Sequence, residues 1–427
     1  MARQRSAGVC RRLTAGIVAE VVSGQLDSTV VQRARLAVAA LFLTNGAIFA
    51  NLVPHYPQIK SDLQLSNAAY GAAVAAFSAG ALVAGLTAGL LIRRYRSARV
   101  AVVATIGLAL LVVVAAITGS AVVLTAALFL AGACDAITDV AQNAHGLRVQ
   151  RTYGRSIINS FHAVWAVGAI LGGLTGAAVI ALGVPRSAHL GVVAVLVCAA
   201  VLAADRFLLA GPDHEDHPAA RARGTTRPRR TVYLTLAALV VIAIAGATVE
   251  DSGSSWATLY LRDTLHAPAA IATFGYIAVV GFMFVGRLFG DRLVDRFGQR
   301  SVVRAGGLIT AAGMGAALAY PSVLGTVGGF AAAGLGVATL IPAAMHGADQ
   351  LPGLRPGRGL TVVTWLMRVG FFGAPLLVGF VADAAGLRVG LLVVPVAGLL
   401  VTALAGALER THGSTDAISA PHRPARS

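Results

Sequence analysis

The sequence predicts an all-α membrane protein: twelve transmembrane helices in two pseudo-symmetric six-helix bundles. Three observations predict it. First, the 427 residues are 57% hydrophobic and only 12% charged, about half the charged fraction of a soluble domain, with mean hydropathy +0.76. Second, the apolar residues fall into twelve runs, most of them near the roughly 20 residues that a helix needs to cross a bilayer. The runs lack the in-and-out alternation of a membrane strand, so helices are implied. Third, the two halves repeat at a spacing of about 202 residues: GACDAITDVAQ (132–142) aligns with GLGVATLIPAA (334–344), and RRYRSAR (93–99) with DRFGQRS (295–301).

Residues 1–33 carry Arg3, Arg5, Arg11 and Arg12 and resemble a signal n-region, but Glu20 breaks the apolar stretch and no cleavage site follows. They read as a cytoplasmic tail. The N-terminal bundle spans 34–210, with runs near 34–54, 67–91, 99–118, 121–147, 157–182 and 188–210. Residues 211–230, GPDHEDHPAARARGTTRPRR, are rich in Pro, Gly and charge and read as a cytoplasmic linker. The C-terminal bundle spans 231–408, with runs near 231–260, 268–291, 301–320, 322–349, 359–385 and 387–408. Residues 409–427 are a polar cytoplasmic tail.

The net charge of +16 raises the possibility of nucleic acid. The distribution argues for topology instead. With the N-terminus inside, 28 of the 34 Lys and Arg fall on inside segments and four outside: Lys60, Arg186, Arg262 and Arg388. The reverse orientation inverts the bias, so both termini are expected to be cytoplasmic. No basic patch interleaved with aromatics and no zinc spacing is present. Cys10, Cys134 and Cys198 are too scattered for a disulfide framework or a metal cluster.

Polar residues inside the runs are the candidate site. In the fourth run Asp135, Asp139, Gln142 and Asn143 share one helical face, opposite Ile137, Val140 and Ala144. A charge at the centre of lipid costs about 2.5–3.5 kcal/mol even on insertion scales. The stripe is therefore expected to face a cavity, either for function or to bond neighbouring helices. The fifth run adds Asn159, His162 and Trp165: His162 as a proton partner or a packing residue, Trp165 as a stacking platform or filler. Asn45 is the main polar group of the first run, whose outer end carries Pro54, His55 and Pro57. In the seventh run, Glu250 is expected either to line an outer vestibule or to sit solvated at the water boundary, and Asp251 to sit solvated at that boundary. Arg368 lies near the middle of the eleventh run and requires an anion, either a cavity acid or a substrate. His346 and Asp349 read as boundary residues.

The stretch GRLFGDRLVDRFGQR (286–300) resembles a loop motif of the major facilitator superfamily, with Asp295, Arg296, Gly298 and Arg300 matching and Asp291 where the leading glycine is expected. The N-terminal copy has Arg93 for the acid and Arg96 for the glycine, and reads as positive-inside anchoring. DVAQNAHG (139–146), GRSIINSFHAVWAVGAILGG (154–173) and WATLYLRD (256–263) resemble the fucose-permease-like branch and its uncharacterised inner-membrane members. The resemblance covers most of 34–408. It implies cytoplasmic gating by the 291–300 motif. It also likens Asp139 and Asn143 to the fourth-helix acid and amide of that branch, where the acid is implicated in proton coupling.

Proton-coupling candidates are thus Asp139, Asp135, His162 and Glu250. Substrate-binding candidates are Asn45, Gln142, Asn143, Asn159, Trp165 and Arg368. No phosphate loop, metal pair or nucleophile motif supports an enzyme, and no cofactor or metal is implied. The expected protein is a monomeric secondary carrier of a small, sugar-like solute in the cytoplasmic membrane, with the proton and the bilayer as partners. An efflux antiporter is the alternative, since VGAILGGLTG faintly resembles an antiporter motif but lacks its proline. A non-transporting sensor or scaffold is the second alternative.

Overall fold

The computed structural model describes residues 28–154, 157–211, 230–352, 354 and 358–408. The tail at 1–27, nearly all of the linker and the C-terminal tail lie outside the described residues, as does the side chain of Asn159. Twelve helices among the described residues are long and apolar enough to cross a membrane. The N-terminal six are α1 Thr29–Asp62, α2 Asn67–Tyr95, α3 Ser97–Ile117, α4 Ala121–Tyr153, α5 Ser160–Ala181 and α6 Arg186–Asp205. The C-terminal six are α7 Arg230–Thr264, α8 Ala269–Phe297, α9 Gln299–Ala319, α10 Val323–Asp349, α11 Arg358–Ala385 and α12 Leu387–Ala407. No strand occurs among the described residues. The first helix begins before residue 34 and runs past Pro54 and Pro57, because a short 3-10 turn at Val53–His55 absorbs the missing N–H groups without ending it.

Local chemistry sets the ends. Ser66, Ser120 and Ser322 cap α2, α4 and α10 by accepting from the amides of Ala69, Val123 and Gly325. The 202-residue repeat recurs as physical contacts. Arg186 Nε donates to the Ala116 carbonyl at 2.6 Å, and Arg388 Nε to the Leu318 carbonyl at 2.6 Å. Each arginine opens the last helix of its half and closes the exposed end of the third. Arg96 and Gly298 occupy the same sharp turn, at φ 74° and 79°. That conformation suits glycine and strains arginine.

Water-driven burial is unavailable in lipid, so helices meet through small residues. Gly80 and Gly132 press α2 onto α4: a Cβ on either would overlap a carbonyl oxygen of the other helix, at Phe129 or Phe77.

The halves touch at the end remote from the termini, called here the far end. There Tyr70 of α2 donates to the Ser255 carbonyl of α7 at 2.6 Å. Lys60 lies 3.7 Å from Asp263, and Asp383 of α11 accepts from the amides of Asn67 and Ala68 at 2.8 Å each. Gly71 sits directly against Pro375, and Gly173 faces Tyr276 and Ile277. Toward the terminal end, α4 packs on α1, α2, α3 and α5 of its own half, and α10 on α7, α8, α9 and α11 of its own. The bundle is sealed at the far end and parted at the other.

Candidate functional site

Two hydrogen-bonded chains line the N-terminal wall of the parted space. Asn45 of α1 donates through Nδ2 to Asp135 Oδ1 at 2.9 Å and accepts from Trp165 Nε1 at 2.9 Å. One buried amide thus holds an acid of α4 and an indole of α5. The Trp165 N–H is thereby engaged, and its ring is half-buried. One turn below, Asn143 donates to Asp139 Oδ1 at 2.9 Å, while its own Oδ1 meets His162 Nε2 at 3.2 Å. Asn143 Oδ1 can only accept, so His162 carries the proton on Nε2. Phe42 lies edge-on to the His162 ring, with centroids 5.2 Å apart, and fixes its tilt.

Asp139 and His162 are exposed, and Asp135, Asn143 and Trp165 half-buried, although all lie within long apolar helices. Both carboxylates nonetheless lie near the middle of α4. Groups that are deep yet accessible belong to a cavity wall.

The opposite wall is basic. Arg368 acts through space on both Asp135 and Asp139, yet forms no ion pair among the described residues. It opens the second piece of α11, Arg368–Ala385, after a tight turn in which the Gly370 amide bonds the Met367 carbonyl at 2.9 Å. Arg287 of α8 lies 3.6 Å from Glu250 of α7 and within electrostatic reach of His162. The structure therefore brings together Asp135, Asp139, Asn143, His162, Asn45, Trp165 and Arg368, with Glu250 held by Arg287.

Other residues fall elsewhere. Gln142 is fully buried, so it is not on the accessible wall. His145, in the same polar stretch, is a structural tie: its Nε2 accepts from the Leu209 amide at 3.2 Å, and its Nδ1 meets Ser97 Oγ at 2.9 Å. In the 291–300 motif, Asp291 and Asp295 are exposed and form no ion pair among the described residues. Arg296 lies over Phe297, and Arg300 bonds the carbonyls of Ala405 and Gly406. Gly298 makes the turn between α8 and α9.

One expectation is corrected. Asp251 is not solvated at a water boundary but is 9% exposed, because the bundles close over it. Sequence reading also missed a network at the far end of the N-terminal half. His55 Nε2 meets His189 Nδ1 at 2.9 Å, and His189 Nε2 meets Asn51 Oδ1 at 3.0 Å. Thr175 donates to the same oxygen at 2.7 Å. The signal available was a polar residue in each of three apolar runs, but nothing local pairs positions 134 residues apart.

The chain matches the family model of the Major Facilitator Superfamily over residues 38–293. It is 27% identical over 373 residues to an uncharacterised transporter, y4wD, of Sinorhizobium fredii, covering 87% of this chain and 97% of that protein. It is 26% identical over 367 residues to the membrane protein MosC of Rhizobium meliloti, covering 86% and 88%. Among solved structures, the nucleoside transporter NupG superposes with TM-score 0.68 at 15% identity, over 87% of this chain and 97% of NupG. A D-xylose-proton symporter superposes with TM-score 0.67 at 15% identity, over 87% and 96%. At such identities these structures attest the fold alone.

Proposed function

Because the chain belongs to the Major Facilitator Superfamily, we propose that it moves a small, sugar-like solute across the cytoplasmic membrane by alternating access, coupled to protons at Asp139. Both termini are cytoplasmic in this reading, and the parted end then faces the cytoplasm. The duplicated halves supply two rigid bodies that rock about a midplane site.

The observation that carries the reading is the opposition of an acidic wall on α4 to Arg368 and Arg287 across the interface between the halves. With Asp135, Asp139 and Glu250 ionised, the walls hold one more negative than positive charge. Closing the halves removes water, and a net charge left in a dry cavity is strongly disfavoured. One proton restores neutrality. Asp139 is the more accessible acid, so its proton exchanges directly with water in the parted space, while Asn143 and His162 hold the carboxylate in place. Asp135 is held by Asn45 and serves to place Trp165. Asn45, Asn143 and Trp165 offer amides and a ring face to a hydroxylated ring, with Arg368 on the other side. Asn159 remains a candidate from the same helix as Trp165.

The test is counterflow and pH-gradient-driven accumulation in liposomes, screened over labelled hexoses, pentoses and cyclic polyols. Asp139→Asn is expected to abolish gradient-driven accumulation and retain counterflow. Undiminished accumulation in that variant overturns the coupling role, and an absence of counterflow for every solute favours a sensor or scaffold.

A further inference from the structure

The cavity does not contain the most deeply enclosed acid of this interface. Asp251 lies on α7 one turn before Ser255, and so on the face that meets α2 at the far end. Tyr70 donates to the Ser255 carbonyl there at 2.6 Å. The Tyr70 ring lies edge-on to Trp256 at 4.9 Å and to Tyr56 of α1 at 5.7 Å. Asp251 is 9% exposed, and Ser252 and Trp256 are fully buried. Its Oδ2 has no hydrogen-bond partner, and neither does the hydroxyl of Tyr56, which it reaches electrostatically.

No cation compensates it among the described residues. Around the seal, α1 presents Tyr56 and Lys60, and the lysine is engaged by Asp263. From α2 comes Tyr70, and from α7 itself come Glu250, Arg262 and Asp263, the last two about three turns beyond Asp251. From α8 come Tyr276 and Arg287, the arginine engaged by Glu250. From α11 comes Asp383, spent on the amides of α2. A carboxylate set among Tyr56, Tyr70 and a second acid, with the neutral Ser255 hydroxyl as its side-chain partner and Oδ2 unpartnered, is strongly disfavoured as an anion. As the neutral acid it gains a donor and loses the uncompensated charge.

We propose that Asp251 is a proton-binding site of the far-end seal: the halves close there with the carboxyl protonated, and it ionises when they part and water reaches it. This rests on the alternating-access reading and adds a second proton site to it, distinct from Asp139. The sealed state then holds one proton more than the open state on this residue. Linkage fixes the sign: sealing is favoured by acid and lost as pH rises.

The experiment uses the full chain in lipid nanodiscs, with spin labels at the exposed far-end positions Ser61 and Ala385, one in each half. The distance distribution is recorded between about pH 5 and about pH 9. Where the open-state carboxyl is ionised, the sealed-to-open ratio is expected to fall about tenfold per pH unit. Asp251→Asn is expected to stay sealed throughout. Asp251→Glu, which keeps a titratable group, retains the slope at a displaced midpoint, and so does Asp139→Asn. Two populations in a pH-independent ratio overturn the site, as does an unchanged slope in Asp251→Asn or its loss in Asp139→Asn alone. A single fixed distance at every pH overturns the alternating-access reading as well. If Asp251→Asn fails to fold, the native chain and Asp251→Glu still decide the matter.

Discussion

Replacing Asp383 with alanine is expected to loosen the far end without touching the cavity. The Asp383 carboxylate accepts from the amides of Asn67 and Ala68, each at 2.8 Å. These amides belong to the first turn of α2 and have no partner within their own helix. Both bonds also lie where the helix dipole favours an anion, and both exist only while the halves touch. A hydrogen bond to a charged group contributes about 1.5–3 kcal/mol when enclosed. Asp383 is exposed, and water takes over both partners in the open state, so about 1–2 kcal/mol in total is a fair figure after screening. The sealed-to-open ratio then falls roughly 5- to 30-fold. A cysteine at Ser255, buried behind the seal, reports this through its alkylation rate by a membrane-impermeant maleimide. The background has Cys10, Cys134 and Cys198 replaced. The rate is expected to rise by that factor in Asp383→Ala, and by less in Asp383→Asn, which keeps one acceptor. Equal rates in Asp383→Ala and its parent, with both folded, refute the reasoning.

Asn45→Ala leaves Asp135 Oδ1 and Trp165 Nε1 without their partner; a loss of about 2 kcal/mol in stability is expected, read by denaturant titration, together with a raised KM. Arg96→Gly relieves a side chain held at φ 74° and is expected to stabilise by about 1 kcal/mol, whereas Gly298→Ala on the equivalent turn destabilises; thermal unfolding of both variants checks the pair. Arg368→Lys keeps the charge but loses the planar fork, so KM is expected to rise while the folded yield is unchanged; equal loss of both points to a purely structural arginine.

The twelve spans, the division into halves and the polar face of α4 were legible because each is written locally. Hydropathy over about 20 residues decides insertion, and the helical period decides which residues share a face. The repeat gave the pairing of turns: Arg96 stands where its twin has Gly298, and the structure gives both the same backbone. The polar stripe was less uniform than its period implied. Asp139 and Asn143 reach the open wall, while Gln142, one position before Asn143, is sealed inside. Period alone assigns a direction, and the neighbouring helix decides whether that direction is empty.

The number of helices, their order, the duplication and the identity of the acidic helix follow from free energies of short segments in water and lipid. Which distant groups meet depends instead on how the folded helices pack. That packing set Asn45 between Asp135 and Trp165 and His55 against His189. It put Asp383 on α2 and enclosed Asp251 rather than hydrating it. The physical reason is that, in lipid, helix pairing depends on close small-residue packing and on satisfying polar groups. Neither leaves a trace in a window of twenty residues, because each needs two surfaces that the chain brings together only by folding.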